Sequence, residues 1–184
     1  MTRTPPVPIT GTVIAVVAYP GVDELDLFGA YAVLAKAGSI AEEMGAPPVS
    51  VAIAAETPEV RGSAGVTFRA QEDLSAVERA EAVVVPGGRG AAAAAGEPRL
   101  CRALHRADGH SARLYAACSG ALVLAGAGLA RGRTLAIHSA KRTDLETRGV
   151  GRGAAREGPG RRRRAEGGRG DFQQTQPTTT TEEQ

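Results

Sequence analysis

Tyr115-Ala-Ala-Cys-Ser-Gly-Ala121 sets one cysteine, Cys118, between a strand-favouring segment and a helix-favouring one, with small residues on both sides. A nucleophile raised on so sharp a turn needs small neighbours two positions away, here Ala116 and Gly120, because the strained backbone leaves no room for larger ones. At the start of a helix the aligned peptide dipoles favour the thiolate over the thiol, which is the reactive form. Cysteine also serves as a small buried hydrophobe, so this segment by itself leaves both readings open. Five further residues are placed to join it. Pro86-Gly87-Gly88 ends a strand: alone it reads as an ordinary strand-end turn, and beside Cys118 the N–H groups of Gly87 and Gly88, with that of Ser119, are candidates for an oxyanion hole. Asp26 begins a helix after the first strand, and His138 follows a later strand end; an acid there often serves only the helix dipole, and a lone histidine is often structural. Cys101, in Leu100-Cys-Arg-Ala-Leu104, reads as a helix-face residue without a role. No Cys/His spacing marks a metal site, and Gly87, Gly88 and Gly90 form neither a Walker nor a dinucleotide fingerprint, so no cofactor is expected.

The elements that must carry these residues are legible from apolar runs. Thr12 to Ala18 and Val49 to Ala55 are β-branched or small throughout, as in strands covered on both faces, and Ala82 to Val85 repeats the pattern. Between the first two, Asp26 to Ala37 carries Leu27, Tyr31 and Leu34 at helical spacing, with Gly38 as its expected C-cap. Glu59 to Phe68 breaks at Gly62 and Gly65 and predicts a hairpin. The alanines 91 to 95 favour helix, as does Pro98 to Ala107 with proline in its first turn, before a turn at Asp108-Gly109-His110. Arg113 to Ala117 predicts a fourth strand, Ser119 to Ala127 a helix ended by Gly128, and Thr134 to Ile137 a short strand before His138. Alternating strands and helices predict an α/β fold with a mostly parallel sheet and helices on both faces, with ligands beyond the carboxyl ends of the strands.

Charge and composition divide the 184 residues unevenly. Residues 1–147 carry 14 Lys and Arg against 15 Asp and Glu, so the body holds no surplus of positive charge to attract nucleic acid. From Arg148 to Gly170, 16 of 23 residues are Arg or Gly, which leaves almost nothing to build a core. The expected division is a flexible terminus at 1–11, one α/β domain at 12–147, and a disordered Arg/Gly-rich then Thr/Gln-rich tail at 148–184. The Arg161 to Arg164 run reads as nonspecific charge. Two cysteines are too few for a disulfide framework, and no stretch reaches the ~20 apolar residues of a membrane span, so a reducing cytoplasm is the expected setting.

Three segments together resemble one family. They are Tyr19-Pro-Gly-Val-Asp-Glu-Leu-Asp-Leu-Phe-Gly29, Val83-Val-Val-Pro-Gly-Gly88, and Ala117-Cys-Ser-Gly-Ala121 with Gly128-Leu-Ala-Arg-Gly-Arg-Thr-Leu-Ala-Ile-His138. The pattern is similar to the ThiJ/PfpI superfamily of class I glutamine-amidotransferase-like domains, and within it most like the isocyanide hydratase branch. The resemblance implies a flavodoxin-like sandwich, usually dimeric, in which Cys118 is the elbow nucleophile, Asp26 the neighbouring acid and Ser119 a hydroxyl that helps hold the acid or the intermediate. Aspartate rather than glutamate at position 26 tilts the resemblance toward the hydratases. Ala30, Ile137 and Ser139 depart from the family pattern, and the strand pair and terminal helix that family members add next are replaced here by the Arg/Gly segment. That segment reads as coding sequence out of frame or as a truncated product.

The resemblance implies that Cys118 attacks an isocyanide carbon and that water releases an N-substituted formamide, with no cofactor and a small-molecule substrate. Three alternatives stay open: glyoxalase, deglycase or amidase chemistry on the same thiol, a non-catalytic ligand sensor, or a family member damaged at its end.

Overall fold

A computed structural model of the chain describes residues 12–133, 135–137 and 141–148. The order of elements is β1 (Thr12–Ala18), α1 (Glu24–Glu43), β2 (Val49–Ala55), β3 (Glu59–Arg61), β4 (Thr67–Arg69), α2 (Leu74–Arg79), β5 (Ala82–Val85), α3 (Ala91–Ala94), α4 (Pro98–Gly109), β6 (Arg113–Ala116), α5 (Gly120–Gly126) and α6 (Arg142–Glu146). Four strands form one sheet in the order β2-β1-β5-β6, every pair parallel. The expected α/β class holds. β1 lies inside the sheet, and Ala15, Val16 and Val17 are fully buried, which is why its run has no polar alternation.

The chain passes from β1 to β2 in one direction and from β2 to β5 in the other. With right-handed crossovers this puts α1 and α2 on opposite faces. α1 packs on β1 and β2, while α2 packs on the same strands and on α4. The core joins β1, β2 and β5 to Leu27 of α1, Val77 of α2, and Leu100 and Leu104 of α4. A smaller cluster links Ala121, Leu122 and Ala125 of α5 to Ile137 and to Leu145 of α6, which is fully buried.

The expected hairpin forms: Glu59 pairs with Arg69 and Arg61 with Thr67 in antiparallel register. Other boundaries differ from expectation. α1 starts at Glu24, because Asp23 is the N-cap and its carboxylate accepts the N–H groups of Leu25 and Asp26. Gly38 does not cap this helix. It is buried within it where the helix crosses β2, and a Cβ there would stand 3.0 Å from the Val49 carbonyl oxygen. α1 ends instead at Met44 and Gly45, whose positive φ suits the residue after a cap. α4 runs on through the expected turn to Gly109, and α2 and α6 were not anticipated. Of the expected strand from Thr134 to Ile137, only Ala136 takes a bridge position. Thr134, His138 and the tail from residue 149 lie outside the described residues.

Among the described residues no helix is long and apolar enough to cross a membrane.

Candidate active site

The carboxyl ends of β1, β5 and β6 bring Tyr19, Pro86-Gly87-Gly88 and Cys118 to one edge of the sheet, and the first turn of α1 adds Asp26. Cys118 is exposed and has φ of 48°, the left-handed region that L-residues avoid. The strain is held by close packing on both sides. Ala117 N–H donates to the Val85 carbonyl at 3.0 Å, and Gly120 N–H donates to the Ala117 carbonyl at 2.8 Å. Any side chain at Gly120 would collide with the Val85 carbonyl oxygen, so the turn into α5 needs glycine there. The elbow geometry expected from the small residues is present.

Gly87 is the hub. A Cβ placed on it would stand 2.8 Å from Cys118 Cβ, 2.8 Å from Ser119 N and 2.9 Å from Asp26 Oδ2. Cys118 Cβ and Asp26 Oδ2 are therefore less than 6 Å apart, separated only by the space a side chain at position 87 would fill. The structure thus brings together Cys118, Asp26, Ser119, Gly87 and Gly88.

Their hydrogen bonds differ from the expected oxyanion hole. Gly87 N–H donates to Asp26 Oδ2 at 3.1 Å, and Gly88 N–H donates to Ser119 Oγ at 3.0 Å. Both donors are committed to protein acceptors, so they position the carboxylate and the loop instead of standing ready for an oxyanion. The Ser119 hydroxyl, expected to help hold the acid, bonds the glycine loop. Ser119 is 7% exposed, and its hydroxyl also donates to the Gly88 carbonyl at 3.1 Å, so it fastens the glycine loop to the start of α5. Ser119 N–H, beside the Cys118 Cβ, is the remaining expected donor at this place.

Sequence reasoning missed Tyr19. Its ring is buried, and its hydroxyl donates to the Pro86 carbonyl at 2.6 Å, across 67 residues of chain. Burial pushes this phenol far above its usual range, and the negative charges of Asp26, Cys118 and Asp23 push it further, so it remains a neutral donor. The apolar run Thr12 to Ala18 just before it gave no sign of that reach. Cys101 is partly buried in α4 with its Sγ 3.6 Å from the Ala95 carbonyl, and burial followed by the nearby Glu97 raises its thiol.

A thiol on a strained strand-to-helix turn, facing a carboxylate across a glycine, defines an α/β protein with a cysteine-centred site. The chain belongs to the DJ-1/PfpI family, whose model matches residues 12–155. The family includes cysteine-based enzymes, and its fold is the one observed. Comparison with curated proteins gives no match. Among solved structures, the chain is similar to an oxidized DJ-1 of Toxoplasma gondii, at 23% identity and a TM-score of 0.63, covering 78% of this chain and 76% of that one. It is similar to a ThiJ/PfpI family protein of Pseudomonas syringae at 25% identity and a TM-score of 0.61, covering 85% and 64%. It is also similar to a two-domain protein of Anabaena variabilis with DJ-1/ThiJ/PfpI-like and ferritin-like domains, at 19% identity and a TM-score of 0.59. That match covers 76% of this chain but only 38% of the two-domain protein.

Proposed function

We propose that the protein is a cytoplasmic isocyanide hydratase acting through Cys118. The observation that carries this reading is the Asp26 carboxylate held on Gly87 N–H, less than 6 Å from Cys118 Cβ. In the reaction, Sγ of Cys118 bonds to the terminal carbon of R–NC, and that carbon takes a proton delivered through Asp26, which leaves a thioimidate. Water then adds to the same carbon with one of its protons passing to nitrogen, and collapse expels the thiolate, returns the second proton to Asp26 and leaves R–NH–CHO. Atoms balance as isocyanide plus water, and the thiolate is regenerated without a cofactor. The exposure of Cys118 suits a thiol that small molecules must reach. Aspartate, one methylene shorter than glutamate, favours this chemistry over the glyoxalase and amidase alternatives on the resemblance already described. His138 enters this proposal only as a further candidate catalytic residue, on the resemblance already described.

The test is formamide production from a simple alkyl isocyanide by the purified chain. Wild-type protein should form it, Cys118→Ala should not, and Asp26→Asn should lose about 10²–10⁴-fold, the usual range for a positioned proton donor or acceptor. Lactate from methylglyoxal in place of formamide would move the assignment to the glyoxalase alternative. Ligand binding without turnover would move it to the sensor.

A homodimer is part of this proposal. Leu25, Val33, Ile40 and Met44 are 81%, 69%, 44% and 81% exposed along the face of α1 opposite buried Leu27 and Gly38. A second copy of the chain would cover this stripe.

A further inference from the structure

We propose that Glu24 is a positioning residue for Asp26, acting by clamping the β3–β4 turn onto the first turn of α1. The inference rests on the reading of Cys118 and Asp26 as the reacting pair.

Both oxygens of the Glu24 carboxylate accept from the hairpin turn. Ala64 N–H donates to Oε1 at 2.9 Å and to Oε2 at 3.0 Å, Val66 N–H donates to Oε1 at 3.3 Å, and the Ser63 hydroxyl donates to Oε2 at 3.3 Å. The turn is moulded round this group: a side chain at Gly62 would occupy the place of the Glu24 carboxylate. Charge-assisted bonds of this kind are stronger than neutral ones, and several on one carboxylate fix its direction.

The clamp completes a suspension of the segment that carries Asp26. On the hairpin side, Gly21 N–H donates to the Arg61 carbonyl and Ser63 N–H to the Val22 carbonyl, both at 2.8 Å. On the other side, Asp23 N–H donates to the Gly87 carbonyl at 2.8 Å and Gly90 N–H to the Gly21 carbonyl at 3.0 Å. Residues 21 to 23 are thus strung between the hairpin and the glycine loop. Asp26 reaches Gly87 N–H only while this segment keeps its place. Glu24 is the side-chain tie on the hairpin side, two residues from Asp26, and it touches none of the reacting atoms.

The experiment measures the rate of Cys118 alkylation by iodoacetamide in a Cys101→Ala background, with circular dichroism to confirm folding. Asp26→Asn should change that rate, and Glu24→Ala should change it in the same direction, on the order of tenfold, since a displacement of about 1 Å at a reacting pair can cost up to ~10²-fold. The double variant should go no further than Asp26→Asn alone, because both act through one carboxylate. Glu24→Gln, which keeps an oxygen for Ala64 and Val66, should restore the wild-type rate. Gly62→Ala, which displaces the Glu24 carboxylate without removing it, should reproduce Glu24→Ala and serves as the second variant should Glu24→Ala not fold. A folded Glu24→Ala or Gly62→Ala protein with wild-type alkylation would overturn the proposal, as would effects of Glu24→Ala and Asp26→Asn that multiply. If Asp26→Asn alone leaves the rate unchanged, the pairing of Cys118 with Asp26 fails first, and the role of Glu24 fails with it.

Discussion

Tyr19 joins packing and chemistry in one side chain. Its hydroxyl satisfies the Pro86 carbonyl immediately before the glycine loop that holds Asp26 and Ser119. Tyr19→Phe leaves that carbonyl without its donor in a buried place, so unfolding experiments should show a loss of about 1–3 kcal/mol. Because the phenol stays protonated, no step in activity from its ionisation is expected at alkaline pH up to the ordinary tyrosine range near ~10. Glu24 gives the opposite edge of the pH profile. Desolvation pushes its carboxyl up, but the Ala64 N–H, its own N–H, the Val66 N–H and the Ser63 hydroxyl together outweigh this and hold it below the ordinary range. A carboxyl lowered on folding stabilises the fold fully above its unfolded value of about 4.3, and that contribution is lost as pH falls through the lower folded value. Thermal midpoints measured through that acid window should fall more steeply for wild-type protein than for Glu24→Gln.

Among the elements, α5 depends on the backbone contact at its start. Gly120→Ala would press a methyl group into the Val85 carbonyl, which belongs to the same sheet that supports Cys118. We expect a stability loss of at least the ~1–3 kcal/mol typical of overpacking, measured by denaturant unfolding, together with lost thiol reactivity. Here the small-residue rule that marked the elbow in the sequence is borne out by geometry. β1, β2 and β5 were legible for a similar reason, since Thr12–Ala18, Val49–Ala55 and Ala82–Val85 have too few polar residues to be anything but covered strands. The start of α1 was not, because Asp23 and Asp26 are both acids a turn apart and only the hydrogen bonds distinguish cap from site. Gly38 misled because a glycine that lets a helix approach β2 looks in sequence like one that ends it. α2 has six residues, too few for a period to show. The convergence of Cys118, Asp26 and Gly87 was readable from motif order, whereas the direction of each N–H at Gly87 and Gly88 depends on partners far along the chain.

For the molecule as a whole, the proposed association turns on the apolar stripe on α1 and, among the described residues, on the edge of β6 away from β5. Tyr115 of β6 is 54% exposed, and among the described residues β6 pairs only with β5. If the stripe is the dimer contact, Val33→Glu with Met44→Glu should shift sedimentation from dimer to monomer while leaving the helical signal intact. A wild-type chain that sediments as a monomer would remove the dimer from the proposal. The left-handed backbone at Cys118 has a further consequence at this scale. Glycine accepts that conformation readily, whereas every other side chain, alanine included, keeps the strain. Cys118→Gly should therefore abolish chemistry yet melt at a higher temperature than Cys118→Ala. The fold would be sturdier without its nucleophile, so drift that merely favours stability would erase the activity at this one position first.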